Sequence, residues 1–413
     1  MSNKKISSVD VLFLAMGAML GWGWVILSGE WVATAGFLGA TIAFAGGGLL
    51  IILIGLTYAE LATAIPETGG GVAFVQRAFN TPLAFVAGWS VLFGYMSVIA
   101  FEAVALPTVI DYISPVQHQI HLWNIAGSDV YLTWALIGSG GALFLGALNY
   151  RGIRSATIFQ TVFTIAIIAV GFLLIFGAGY FGDSENLKPY FSGGFDGMMQ
   201  VLIMVPFMFV GFDVIPQIAS EVKATKSLGK MLVISILSAL LFYILIIYGV
   251  SIGLPHAELL TSKLATADAM SNLFNSAFLG KVLVIGGIAG IITSWNAFVI
   301  GGSRIMYAMA IRGMLPNWFA KMHPKYHTPS NAIIFLTVLA FLAPLLGRQA
   351  LNWLVNAGSI GVVLGYLVVT LAFLQLRKIE PNLERPYAVK WPKTIGWLAV
   401  ILSVGFLSLY LPG

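Results

Sequence analysis

Apolar runs long enough to cross a lipid bilayer fill most of this chain, and no other feature limits its possible folds as strongly. A crossing helix needs about 20 mostly apolar residues. Such runs lie near 10–34, 37–64, 82–110, 131–149, 155–180, 197–219, 229–253, 279–308, 329–346, 350–376 and 394–411. Composition agrees: 59% of residues are hydrophobic and 9% charged, whereas a soluble domain has about 45–50% and about 25%. The 46 glycines and 16 prolines suit closely packed, locally broken helices better than the alternating strands of a membrane barrel. The expected fold is an all-α integral membrane protein, one domain over 1–413 with eleven spans, or twelve if the natural chain continues. The polar MSNKKISSVD precedes the first run and no small-residue cleavage site follows, so that run is read as a helix and not as a removed signal. Cysteine is absent, which excludes disulfides and thiolate metal sites.

Two of the runs are interrupted near their middle. In DVLFLAMGAMLGWGWVILSG the break falls among Gly17, Gly21 and Gly23; in VLIMVPFMFVGFDVIPQIASEV it falls among Pro206, Gly211, Asp213 and Pro216. Backbone groups freed inside hydrocarbon must be satisfied by something else, so a broken helix is tolerated where it lines a cavity or holds a ligand. A pair of broken helices in corresponding halves of a chain points to the substrate site of a secondary transporter. Five spans precede residue 190 and five more precede the basic connector at 377–393, so breaks in spans 1 and 6 divide the chain into two sets of five with opposite starting sides.

Basic residues orient the spans, because short cytoplasmic loops carry the positive excess. With the N-terminus inside, only Lys188, Lys263, Lys281 and Arg348 of the 21 lysines and arginines fall outside. The net charge of +5 thus reflects topology, with the bilayer as partner and no nucleic acid. The expected location is the cytoplasmic membrane. No phosphate-binding loop of the Gly-Lys-Ser/Thr kind occurs, which argues against an ATP-driven pump.

Four dispersed segments resemble the amino acid-polyamine-organocation (APC) superfamily: GAMLGWGWVILSG in the first span, LTYAELATAIPETGGGVAFVQRAF at the end of the second, FVGFDVIPQIASEVK in the sixth, and SWNAFVIGGSRIMYAMAIRGMLPNWFAKMHPKYHTPSNA from the eighth onward. The resemblance implies a LeuT-type five-plus-five inverted repeat, with repeat one over about 10–180, repeat two over about 197–376 and an extra helix at about 394–411. It also implies alternating-access transport of amino acids or related small amines, by proton coupling or exchange, with no cofactor. A sodium-coupled carrier of the same fold and a polyamine or organic-cation carrier are the alternatives within it. Some relatives carry a coupling lysine in span 5; here that span has none, and Ile167 falls near the place.

Candidate residues follow from the breaks. Gly21, Trp22 and Gly23 would leave free N–H groups at the positive start of a second half-helix, which suits a substrate carboxylate, or else the glycines only permit helix packing. Trp22 would narrow the pocket or close one side. Phe207, Phe209, Val210, Gly211, Phe212 and Asp213 would surround the second break, the carbonyls of Phe209 and Val210 receiving an ammonium. Asp213 could pair with that ammonium, carry a proton or cap its half-helix. Glu102 is the other acid within a span, a coupling or gating group or an outer-vestibule carboxylate. Glu60 and Glu221, at cytoplasmic helix ends, are read as partners of arginine or lysine across an inner gate, or as a solvated face. By resemblance, Trp295 packs on the substrate, and Thr293 with Ser294 is a weak sodium candidate beside simple hydroxyl-to-backbone bonding. The five histidines, His118, His121, His256, His323 and His327, lie in loops without metal spacing. An intramembrane enzyme would need catalytic groups clustered at depth; a channel would show a selectivity ring, and a solute receptor would bind without flux.

Overall fold

The computed structural model describes residues 6–113, 119–262 and 264–410. Lys4, Lys5, His118, Lys263 and Gly413, to which the sequence assigned sides or roles, lie outside the described residues. The chain runs α1 (Ser8–Met19), α2 (Gly23–Ala64), α3 (Gly71–Ala78), α4 (Thr81–Ile113), β1 (His121–Ile125), β2 (Ser128–Tyr131), α5 (Leu132–Tyr150), α6 (Ile153–Phe181), α7 (Gly194–Met208), α8 (Val214–Gln217), α9 (Leu228–Gly253), α10 (His256–Leu259), α11 (Ala265–Leu273), α12 (Ala277–Ile311), α13 (Ser330–Leu342), α14 (Ala350–Ile379) and α15 (Pro392–Leu409). Among the described residues, eight helices are long and apolar enough to cross a membrane, and α1, α7 and the α13 segment are shorter apolar helices. Each of the eleven stretches expected from the sequence contains helix.

The 42 residues of α2 would extend about 63 Å at about 1.5 Å per residue, twice the roughly 30 Å of a hydrocarbon core. The backbone resolves this at Gly36, whose φ of 74° and ψ of 172° leave the helical region. The second half of expected span 1 and all of span 2 therefore meet at one residue. α2 packs against α9 and α7, α4 against α14 and α12, and α12 against α6, around one continuous apolar core. Trp22, Trp24, Trp31, Trp295, Tyr58, Tyr95, Tyr243 and Tyr366 are among its fully buried side chains. The outer faces carry large apolar residues such as Ile165, Phe172, Leu241 and Phe278, as expected where lipid is the solvent.

The expectation that all five histidines lie in loops is corrected in two places. Residues 121–131 form an antiparallel β-hairpin whose Trp123 Nε1 donates to the Leu345 carbonyl at 2.9 Å. Residues 254–278 hold α10 and α11. His121 accordingly lies on a strand and His256 opens a helix, so neither is in a bare loop. Among the described residues no group of three or more His, Asp or Glu could hold a metal ion.

Candidate functional site

Both expected breaks are present. α1 ends at Met19, Leu20 leaves helical geometry with ψ of 36°, and α2 begins at Gly23. α7 ends at Met208, residues 209–213 form turns, and α8 begins at Val214. The limits differ from those read in the sequence. Gly17 remains inside α1, because it is the close neighbour of Gln160 and Thr293 and not a hinge. Pro206 sits within α7 and Pro216 within α8, which is one turn long, so little regular helix follows the second break.

The two breaks touch at Gly211. Its φ of 125° favours glycine, and an added Cβ would lie 2.5 Å from Ala18 Cβ and 3.0 Å from the Ala18 carbonyl carbon. Tyr243, on α9 behind this contact, places its hydroxyl 2.5 Å from the Met19 carbonyl and 2.9 Å from the Met208 carbonyl. Its one hydrogen thus serves the ends of both α1 and α7, where helical carbonyls lose their partners and the dipole is negative. The sequence reading missed Tyr243; a lone hydroxyl on a buried, otherwise apolar helix face was the available signal.

A small, half-open cavity of about 30 Å³ lies at the junction. Its walls come from the last turn of α1 (Ala18, Met19), the break (Gly21) and first residue of α2 (Gly23), the end of α7 with the second break (Phe207, Met208, Val210), α4 (Val98, Phe101, Glu102) and α12 (Ser294, Phe298). The Val25 and Ile26 N–H groups already bond to the Trp22 carbonyl, which leaves the N–H groups of Gly23 and Trp24 ahead of the first helical bonds of α2, so one wall offers donors and a positive dipole end. The facing walls offer helix C-termini and apolar side chains. Glu102 is 2% exposed, Ser294 lies beside its carboxylate, and its Oε2 has no hydrogen-bond partner. An added Cβ at Gly21 would meet Ser294 Cβ at 2.8 Å and Glu102 Oε1 at 3.2 Å, which puts this acid against the first break. Glu102 therefore belongs to the cavity wall at the first break.

Four of the ten expected substrate residues, Gly21, Gly23, Phe207 and Val210, reach the cavity wall; the other six pack behind it. The Trp22 ring presses on Gly287 of α12 and not into the cavity. Phe209 packs edge-on to Tyr243, and Phe212 lies between Tyr58 and Tyr366. Trp295 turns toward Gly141 on α5, because its helical position faces that glycine gap. Gly211 is consumed by the contact with α1. Asp213 makes no helix-capping bond; its Oδ1 accepts from Gly211 N at 3.2 Å and from the Tyr366 hydroxyl at 2.9 Å. Its Oδ2 and the Tyr58 hydroxyl lack hydrogen-bond partners, and the Tyr95 hydroxyl lies beside the Asp213 carboxylate, leaving a buried polar cluster near the cavity. Thr293 Oγ1 donates to the Gly290 carbonyl at 3.1 Å, the simple helical bond, while Ser294 faces Gly21.

The other two acids are paired with arginines. Glu60, 1% exposed, forms a bidentate pair with Arg377, lies 3.0 Å from Arg385 Nε, and accepts from Val389 N at 2.8 Å. Glu221 pairs with Arg304 at 3.0 Å.

Membrane helices that break around a shared cavity point to a class, the transport proteins that carry small solutes across a bilayer. The chain belongs to the amino acid permease family, whose sequence model matches residues 6–412. It is similar to the branched-chain amino acid permease BcaP of Bacillus subtilis, with 27% identity covering 98% of this chain and 89% of that protein. It resembles a methylthioribose transporter of the same organism at 28% identity, covering 99% and 89%. An aspartate-proton symporter, again of Bacillus subtilis, is 26% identical over 97% of this chain and 78% of its own length. The family and these relatives are transporters, not enzymes.

Proposed function

We propose that this permease is a secondary active carrier that moves a small amino acid with an apolar side chain across the cytoplasmic membrane by alternating access. The observation that carries the reading is the cavity between the two breaks, with a helix N-terminus on one wall and a helix C-terminus on another. A zwitterion fits such a site end to end: its carboxylate at the N–H groups around Gly21 and Gly23, its ammonium toward the main chain at Phe207 and Val210. The side chain would lie against Val98, Phe101 and Phe298. Glu102, the carboxylate on the wall, is the group we assign to charge or proton coupling, in place of the lysine absent from span 5.

In this reading the chain has eleven spans and an N-terminus inside, and helices α1 to α6 and α7 to α14 form two inverted repeats of five, α15 standing outside them. Asp213 with Tyr366 closes the path below the cavity. The Arg304–Glu221 and Glu60–Arg377 pairs hold the inner side shut until the bundle rocks.

Uptake of a panel of radiolabelled amino acids and amines into liposomes holding the pure protein, with imposed proton or sodium gradients, tests this directly. We expect saturable uptake of at least one apolar amino acid, driven by an inward proton gradient or by internal amino acid. Failure of the entire panel would remove the substrate class, and non-saturating flux would indicate a channel.

A further inference from the structure

A second polar feature lies away from the cavity and has no part in the substrate reading. Asn149 near the end of α5, Gln160 on α6 and Asn296 on α12 are all at most 2% exposed. Asn149 Nδ2 donates to Asn296 Oδ1 at 2.8 Å, Asn296 Nδ2 donates to Gln160 Oε1 at 2.8 Å and to the Ala156 carbonyl at 3.1 Å, and Gln160 Nε2 donates to the Leu14 carbonyl of α1 at 3.5 Å. Asn296 and Gln160 each accept from one amide and donate onward in the same direction, an arrangement in which each bond polarises the next. One turn up α6, Thr164 Oγ1 donates to the Phe13 carbonyl at 3.2 Å. Gly17 makes the approach possible, since a Cβ there would stand 2.5 Å from Gln160 Nε2. The tie ends one turn before Ala18 and Met19, which line the cavity.

We propose that this row of amides is an uncharged tie that seats α1 on α6 and α12 at Leu14, with Gln160 as the positioning residue, so that this point of α1 is held and released by neutral hydrogen bonds while the Asp10–Thr161 bond lies one turn away on α1. The inference rests on the transport reading for its consequence, because α1 forms a cavity wall and its release would open that wall. Buried polar groups in a membrane bundle are satisfied by one another or not at all. A carrier that bound a cation or a proton at this contact would need an acceptor left open there, and Gln160 and Thr164 occupy the Leu14 and Phe13 carbonyls of α1. Titratable and charged groups on the surrounding helices include Asp10 on α1, which accepts from Thr161, Tyr95 and Glu102 on α4, Tyr150 on α5, Tyr180 on α6, Lys230, Tyr243 and Tyr248 on α9, and Lys281, Arg304 and Tyr307 on α12. Among the described residues none of them bonds to the three amides.

Gln160→Glu tests the tie, because the protonated acid can donate to the Leu14 carbonyl as the amide does and the carboxylate cannot. In proteoliposomes, we expect its uptake relative to wild type to fall about fivefold or more between about pH 5.5 and about pH 8. A ratio that stays constant over that range, whether near one or near zero, would overturn the tie. A readout independent of substrate uses the cysteine-free chain: spin labels at Val9→Cys on α1 and Ile311→Cys on α12, two exposed positions. Their distance distribution should broaden with rising pH in the Gln160→Glu background and stay fixed in wild type; unchanged distributions in both would also overturn the proposal. If wild type itself transports nothing, the substrate reading fails while the distance measurement still decides the tie.

Discussion

Gly21 and Glu102 meet at one point of the cavity wall, and each constrains the other. A side chain at 21 has no room: its first carbon would already press on Ser294 at 2.8 Å, so Gly21→Leu must displace α12 or fill the cavity. We expect uptake to be lost with membrane insertion intact, read as initial rates normalised to reconstituted protein. Glu102→Gln keeps the shape and removes the charge; if that carboxylate couples transport, rates fall about tenfold or more, equivalent to roughly 1.4 kcal/mol. Normal rates in both variants would sink the site assignment. The glycine was legible in the sequence because breaking a membrane helix leaves few choices of residue. The depth of Glu102 was not, since a single position along α4 says nothing about where the break in another helix lies. Trp22 and Trp295 show the same limit: their types marked them as large and buried, but the direction of each ring depends on the glycine gaps at Gly287 and Gly141 that receive them.

Helix ends on the basic side are tied by charge, and the ties differ in depth. Glu60 receives two arginines from α14 and the connector after it, Arg377 and Arg385, while almost fully buried. Removing it by Glu60→Ala leaves Arg377 without its carboxylate and Arg385 with main-chain carbonyls alone, a loss of about 3–5 kcal/mol for a buried pair. A lower thermal midpoint in detergent is the expected result; a wild-type midpoint would show that the clamp contributes nothing. Arg77 and Glu380 are more exposed, at 40% and 30%, and pair at 2.7 Å. The hydrogen bond from Arg77 holds the Glu380 carboxyl below the usual carboxylate range. A lowered folded-state value contributes stability above the unfolded pKa of about 4.3, and that contribution is lost as pH falls through the folded value. Glu380→Gln should therefore lower stability by only about 0.2–1 kcal/mol at neutral pH, as for exposed pairs, with the difference vanishing in acid. Element types followed from the sequence because each long apolar run admits only a helix. The joint at Gly36, the single turn of α8 and the hairpin at 121–131 did not, because they are set by packing between segments distant in the chain.

Across the whole molecule, the claim that decides most is which side each helix end faces. α14 contains 30 residues, about 45 Å at about 1.5 Å per residue, against a hydrocarbon core of about 30 Å. Its two ends therefore belong in opposite compartments, with Arg348 just before it and Lys378 in its last turn. In the proposed topology, with the positive excess on the cytoplasmic side, Lys378 lies inside and Arg348 outside. Because the chain has no cysteine, single cysteines report sidedness without background. Arg348→Cys and Lys378→Cys, both at exposed positions, should react with a membrane-impermeant maleimide from opposite faces, the first in right-side-out vesicles and the second in inverted ones. Lys188→Cys should follow the first and Lys393→Cys the second, since an even number of spans separates the members of each pair in the eleven-span arrangement. Labelling of Arg348→Cys and Lys378→Cys from one face would mean that α14 does not cross. The second repeat would then lack its last helix, and the two breaks would no longer occupy matching places in inverted halves.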